Sequence, residues 1–205
     1  MKLITKYFPE LNIEIIKKLQ EFQEILIENN AKINVVSRKD IENFEERHLL
    51  HSMSIAKFIQ FKPGTKVIDI GTGGGLPGIP LAIMFPETEF TLIDSRKKKI
   101  EATQLIADEL NLPNIIIKQI RSNELKGKYD FVTGRAVTAF PTFYESVKHL
   151  VGNKDINSIA NGILYLKGGD FKEEIKEFEY IELINLNNYI NEEFFETKKI
   201  IYLPK

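Results

Sequence analysis

Between residues 67 and 78 the chain reads Val67-Ile68-Asp69-Ile70-Gly71-Thr72-Gly73-Gly74-Gly75-Leu76-Pro77-Gly78. A short apolar run enters a glycine-rich turn, and an amphipathic helix pattern follows at once. Glycine tolerates φ > 0 and lets a ligand come close to the backbone. About twenty residues further on, after a second strand-like run from Glu89 to Ile93, stands Asp94, at the distance where an acidic group accepts hydrogen bonds from ribose hydroxyls. Strand, glycine turn, helix, strand and acid together are the means by which α/β domains hold an adenosine-containing cofactor. Asp69, Gly71, Gly73, Gly75, Leu76 and Asp94 are therefore the first cofactor-binding candidates. A glycine-rich turn with no ligand is the bland alternative, and the placing of Asp94 argues against it.

Two cofactors compete for this loop. Residues 73 to 78 match the dinucleotide fingerprint G-x-G-x-x-G literally, which implies NAD or FAD. In that fold, however, the first glycine directly follows the strand and the third packs the helix against it. Here the glycine after the strand is Gly71, and the residue five beyond it is Leu76. The pattern Asp69-x-Gly71-x-Gly73-x-Gly75 instead resembles the loop of S-adenosylmethionine (SAM) methyltransferases. An acid beside the turn suits a cofactor carrying an ammonium and a sulfonium, and sits poorly against a pyrophosphate.

The elements that must position these residues follow from the hydrophobic pattern. Residues 1–62 read as a helical cap, with Leu11, Ile15, Ile16, Leu19, Phe22, Ile25 and Leu26 at helical spacing. Asn29-Asn30 is a candidate stop, and Asp40 a candidate cap for a second helix carrying Phe44, His48, Leu49, Met53, Ala56 and Phe58. From residue 63 to 205 strands alternate with helices. Strands are expected at 66–70, 90–94, 114–120, 129–134, 162–167, 179–189 and 197–203, the last two as closing, antiparallel strands. Helices are expected at 78–84, 97–110, 142–151 and 171–178. The reading is a doubly wound, mainly parallel, seven-stranded Rossmann-like sheet of the methyltransferase type behind an N-terminal helical cap. Functional residues should then gather at the carboxyl ends of the strands. Residues 152–161 read as a polar, mobile loop.

Composition bounds the partners. The 205 residues include 28 basic and 29 acidic ones, for a net charge of −1, so nucleic-acid binding has to use local basic patches. With no cysteine, disulfides, thiolate zinc sites and cysteine nucleophiles are excluded. No apolar run is long enough to span a bilayer, and a cytoplasmic monomer is the expectation.

Further motifs carry a resemblance along nearly the whole chain. They are Ile33-Asn34-Val35-Val36-Ser37-Arg38, Glu46-Arg47-His48-Leu49-Leu50-His51-Ser52, the run from Asp69 to Pro80, Asp94-Ser95, Arg121, Gly134-Arg135-Ala136 and Leu166-Lys167-Gly168. In this order they resemble the RsmG family, also called glucose-inhibited division protein B. The resemblance implies a SAM-dependent methyltransferase acting on N7 of a guanosine in the decoding-site loop of small-subunit (16S) ribosomal RNA. Its substrate would be that RNA or the assembled small subunit. By position, Gly71 and Leu76 match SAM contacts of the family, Asp94 its ribose acid, and Ser122 and Asn123 its adenine contacts. Arg121, Arg135 and Lys167 match its basic residues on the active-site and RNA face. The chain departs from the family at Asn123, often acidic there, at Gly134, often serine, and at His51, aspartate in many members.

The chemistry agrees with the resemblance. Guanine N7 has a free lone pair and no proton, so methylation there needs alignment rather than a general base. The missing cysteine rules out the covalent route to carbon-5 of a pyrimidine. A cation directly at N7 would oppose the charge that develops on the ring. Arg121, Arg135 and Lys167 are therefore expected to act by position, holding phosphates, O6 or, for Arg135 in particular, the SAM carboxylate. Solvated loop charge is their bland reading. Arg96-Lys97-Lys98-Lys99, extended by Lys126 and Lys128, is read equally as a solvated helix start or a phosphate contact. His48 and His51 share a helical face and suit packing or RNA contact better than metal. Phe140 and Phe143 are candidates to flank the target base, with core burial the alternative. Three other functions stay open: a SAM methyltransferase on a non-RNA substrate, a ribosome-assembly factor with a vestigial SAM site, and a dinucleotide oxidoreductase.

Overall fold

The computed structural model describes residues 1–33 and 38–205, with the side chains of 31–39 left aside. The first family motif, Ile33 to Arg38, thus lies largely outside the described residues. Among the described residues no helix is long and apolar enough to cross a membrane.

Five strands and their helices build the parallel part of the sheet: β1 (Lys66–Ile70), β2 (Glu89–Asp94), β3 (Ile115–Gln119), β4 (Phe131–Arg135) and β5 (Gly162–Gly168). Two more, β6 (Glu182–Asn185) and β7 (Lys198–Pro204), complete the order β3-β2-β1-β4-β5-β7-β6. β7 runs antiparallel to both β5 and β6, and every other pairing is parallel. The strand order reverses between β1 and β4, and such a switch point opens a crevice at the carboxyl ends of the strands.

Alternation along each strand sorts the core into two faces. Val67, Leu92, Phe131, Leu164 and Ile200 pack on the side of the N-terminal helices. Ile68, Ile93, Val132, Tyr165 and Ile201 face the opposite layer. The first layer joins α1 (Lys2–Tyr7) and α2 (Ile13–Ile33) to the helices that follow β1 and β2, α6 (Gly78–Met84) and α7 (Lys97–Glu109). Its core runs without a break from Ile4, Phe8 and Leu19 to Ile79 and Ile106. The second layer is α8 (Phe140–Val147) with the single turn α9 (Lys172–Ile175).

The cap differs from its sequence reading in two ways. Helix α2 passes through Asn29-Asn30 to Ile33, because the Asn29 amide donates back to the Ile25 carbonyl (2.9 Å) rather than ending the ladder. The expected second helix is broken into α3 (Arg38–Ile41), a π-helical turn over Glu45–Leu50, α4 (His51–Met53) and α5 (Ile55–Phe58). Asp40 lies inside α3 and pairs with Arg47 at 2.9 Å instead of capping. Wide π turns recur at functional sites, where the extra residue re-aims side chains. The expected strand over 179–189 is shorter, ending at Asn185 in a 3₁₀ turn, and helix 171–178 contracts to α9. The loop over 152–161 is anchored at several points. Asp155 accepts from the Asn161 N–H (2.7 Å), and Asn157 from the Lys62 N–H (2.9 Å).

Gly134 lies beneath the aromatic layer. A Cβ there would stand 2.8 Å from two Phe143 ring atoms and 3.3 Å from Tyr165. Gly134→Ser is expected to cost about 2 kcal/mol by overpacking. Urea denaturation measures this, and Phe143→Leu in the same chain should recover at least half of the loss.

Candidate active site

The glycine loop after β1 is held from three directions. Gly71, Gly73 and Gly75 take φ of +66°, +61° and +89°, the conformations expected of them. The Thr72 N–H donates to the Ile93 carbonyl (3.0 Å), and the Thr103 hydroxyl of α7 donates to the Gly73 carbonyl (2.8 Å). Asp69 is the third anchor and is fully buried. One of its oxygens accepts from Thr72 Oγ1 (2.6 Å) and the Gly78 N–H (3.1 Å), the other from Thr133 Oγ1 (3.2 Å). From sequence, Asp69 is expected to face the positive charge of the cofactor. Instead it stands behind the loop, ties the loop to the start of α6 and to β4, and is absent from the cleft wall. Gly75 is likewise behind the wall. Its hydrogen side faces Ile79, whose Cδ1 would lie 2.4 Å from a Cβ.

Asp94 ends β2 and lines the cleft. Its carboxylate accepts from the Gly73 N–H (3.2 Å) and the Arg96 N–H (2.9 Å), linking the glycine loop to the start of α7. A carboxylate has about four acceptor positions, so two remain for ribose hydroxyls. Ser122 and Asn123 lie in a 3₁₀ turn just after β3, and Leu76 stands across the loop; all three line the same cleft. So do Arg121, Arg135 and Lys167, which three separate strand ends bring together. The cleft holds about 1060 Å³.

The basic residues are not equivalent. Arg135 is half-buried at the end of β4, with one long contact to the Arg47 carbonyl (3.4 Å). Burial lowers its pKa to about 10, opposed by Asp69, and it stays cationic at neutral pH. Lys167 is ion-paired with Glu174 of α9, and the same Glu174 oxygen accepts the Phe140 N–H that begins α8 (2.8 Å). Burial alone would raise the pKa of Glu174, but these two hydrogen bonds outweigh it and hold the group below the usual range. Arg96 and Lys99 reach the cleft, whereas Lys97 pairs with Glu101 (3.6 Å) and Lys128 donates to the His149 carbonyl (2.7 Å).

Several wall residues are not singled out as site candidates by the sequence. Ala136 has φ +52°, a conformation that β-carbon residues seldom adopt and that clusters at functional sites. The Tyr165 hydroxyl holds the strand end beside it, accepting from the Val137 N–H (2.9 Å) and donating to the Thr138 carbonyl (2.7 Å). Val137 is 40% exposed, an apolar face at the cofactor end. Phe194 and Lys198 come from the far end of the chain, the turn before β7 and β7 itself. Phe140 and Phe143 are fully buried against Tyr165 and cannot stack on a base in this arrangement.

His48, in the π turn, and His51, at the start of α4, both line the cleft. Burial, reinforced by Arg135, lowers the pKa of His48 to about 4 and that of His51 well below 6.5. Burial raises that of Asp69 to about 6 against its three hydrogen bonds. The signs oppose. Between pH 4 and 6.5 the unfolded chain binds more protons at the two imidazoles, so they make stability rise with pH. Asp69 binds more in the folded chain, so it makes stability fall from pH 4 to 6. Replacing both histidines with phenylalanine should therefore lower the slope of unfolding free energy against pH in this window. The expected decrease is at least about 1 kcal/mol per pH unit, read by denaturation at pH 4.5, 5.5 and 6.5. An unchanged slope would show that the imidazoles are not buried neutral.

Comparison with known proteins agrees with this geometry. The sequence model of the family GidB, described as rRNA small subunit methyltransferase G, matches residues 15–199. The chain belongs to this family. A Ribosomal RNA small subunit methyltransferase G of Christiangramia forsetii is 47% identical over 204 residues, covering 100% of this chain and 97% of that protein. One of Bacteroides thetaiotaomicron is 47% identical over 203 residues, covering 98% of each. Among solved structures, a SAM-dependent methyltransferase of Aquifex aeolicus superposes with a TM-score of 0.56 at 15% identity, over 82% of this chain and 97% of that one. An rRNA methylase of Streptococcus thermophilus superposes with a TM-score of 0.52 at 12% identity, over 76% and 94%. These likenesses establish the fold as that of SAM-dependent methyltransferases. In this GidB-family chain the residues at the glycine loop and Asp94 fit such a cofactor. The loop offers backbone at close approach, Asp94 has spare acceptor positions, and the dinucleotide fingerprint at 73–78 straddles the start of α6 rather than following a strand.

Proposed function

We propose that this SAM-dependent methyltransferase transfers the methyl group to N7 of a guanosine in the decoding-site loop of 16S ribosomal RNA, by direct in-line transfer without a general base. The observation that carries the proposal is one cleft lined by both the cofactor loop and three cations from separate strand ends, in a chain of the rRNA small subunit methyltransferase G family. S-adenosylmethionine, when bound, supplies a methyl carbon made electrophilic by a sulfonium.

The residues then have distinct roles. Asp94 receives ribose hydroxyls, Ser122 and Asn123 the adenine, and the backbone from Gly71 to Gly73, with Leu76, packs along the cofactor. Asp69 and Gly75 serve through the loop they shape. Arg135 holds the cofactor carboxylate or O6 of the base, while Arg121, Lys99 and Arg96 suit the phosphates that flank the target. Catalysis here is a matter of position. N7 offers a lone pair and has no proton to lose, so the rate comes from alignment. With a net charge of −1 for the whole chain, recognition rests on this local basic face and on the shape of a ribonucleoprotein surface. The chain acts as a monomer, with residues 1–62 as a cap on the methyltransferase unit of 63–205.

A melting screen combined with methyl transfer tests this reading. S-adenosylhomocysteine should raise the midpoint and NAD should not, and label from SAM should enter small subunits taken from a strain lacking the gene. Cofactor binding with no label on subunits or free RNA would overturn the RNA assignment.

A further inference from the structure

The cleft is larger than one small ligand needs: about 1060 Å³, at the top of the roughly 300–1,000 Å³ such sites occupy. The glycine loop, Asp94 and Ser122 line one end. His48, His51, Phe194 and Lys198 line the other, with Arg135 at the border. Both ring nitrogens of His48 and Nε2 of His51 are buried and find no partner among the described residues. His51 itself is only 6% exposed. A buried polar atom left unpaired costs about 1–3 kcal/mol, and folded proteins rarely tolerate it. Three such atoms, on two side chains that line one cavity, point to a ligand that pairs them once the rings turn toward it.

The surroundings narrow the kind of ligand. Arg135 of β4, Lys198 of β7 and Arg47 of the π turn face the imidazoles, with Asp40 opposing from α3. Their field and the burial keep both rings neutral, so each has a bare lone pair and one N–H. Beside them Phe194 is half-buried, edge-on to His51 at a centroid distance of 5.6 Å, with Lys198 Nζ 4.3 Å from its ring centroid. An aromatic face next to imidazole acceptors suits a flat heterocycle with N–H groups along one edge. Guanine has such an edge, N1–H and the N2 amino group, lying away from N7. With N7 turned to the cofactor end, that edge turns to the histidine wall.

We infer that His48 and His51 form the pocket for the acceptor guanine, His48 accepting a hydrogen bond from its N2 amino group and His51 one from N1–H, with Phe194 against the ring. This assignment rests on the guanine-N7 reading above. His51, where many family members have aspartate, takes part here as a neutral acceptor.

Inosine at the target position tests it, because inosine keeps N7 and lacks only the N2 amino group. Single-turnover methyl transfer is measured on small subunits reconstituted with guanosine or inosine at that position. The wild-type protein should be about tenfold or more faster on guanosine, the equivalent of one hydrogen bond of about 1.4 kcal/mol. In His48→Phe, whose new ring fits beside Phe44, transfer to guanosine should fall by a similar factor and the guanosine-to-inosine ratio should collapse toward one. Binding of S-adenosylhomocysteine should stay within about twofold of wild type. His51→Phe, measured as well in case His48→Phe does not fold, should slow transfer to guanosine and inosine alike by about tenfold. A wild-type protein indifferent to inosine, a His48→Phe protein that keeps the ratio, or a His51→Phe protein as fast as wild type on guanosine overturns the pocket alone. Label on a different atom or base in the wild type overturns the guanine-N7 reading, and the pocket with it.

Discussion

Replacing Asp94 with alanine is expected to lower SAM affinity by at least about 100-fold in calorimetric titration, the largest loss of any single change at the cofactor end. Two hydrogen bonds from ribose hydroxyls to a carboxylate disappear, each contributing about 1.5–3 kcal/mol. The internal consequence adds to this. Asp94 holds the Gly73 and Arg96 N–H groups, so its loss also frees the glycine loop from the start of α7. Asp94→Asn keeps one acceptor oxygen and should lose about tenfold. A loss below threefold in Asp94→Ala would mean that the carboxylate serves the loop and not the cofactor.

The second large effect is expected on the rate. Arg135→Ala should slow single-turnover methyl transfer by about 10²-fold, the scale of misaligning the reacting groups by about an ångström. Arg135 has a single long contact, to the Arg47 carbonyl (3.4 Å), and so keeps four of its five N–H donors for ligands. Lysine cannot reproduce that fork, so Arg135→Lys should recover little. The contrast with Lys167 sharpens the test. Lys167 is already ion-paired with Glu174, which also supports the first turn of α8. Lys167→Ala should therefore act partly through that support and show in the melting midpoint. Arg135→Ala should show chiefly in transfer. Equal effects of the two on rate and midpoint would mean that Arg135 is structural too.

Much of this site is legible in the sequence because its signals are local. Asp69 through Gly78 have to form a strand, a positive-φ turn and a helix start, and the expected bounds of β1 and α6 match the structure residue for residue. Asp94 follows from its spacing after the glycine loop, and Arg121, Arg135 and Lys167 from the family resemblance, which agrees with their place at or just beyond strand carboxyl ends. What is not legible depends on contacts between distant segments. Nothing near Phe194 or Lys198 marks them as cleft residues; the return of β7 beside β5 brings them there. Asp69 has the right residue type for a cofactor contact, but Thr72, Gly78 and Thr133 claim both of its oxygens. The last of these lies 64 positions away. The cap departs from its pattern for a related reason. The sequence carries a helical pattern from Asp40 to Phe58, and the π turn that precedes His51 leaves no trace in it.

The most direct measurement of the central claim is identification of the nucleoside formed. Small subunits from a strain lacking the gene are incubated with the protein and labelled SAM, digested with nuclease, and examined by mass spectrometry. The account predicts 7-methylguanosine at a single position in the decoding-site loop, and none with Arg135→Ala. Label in any other nucleoside, or at many positions, would contradict it.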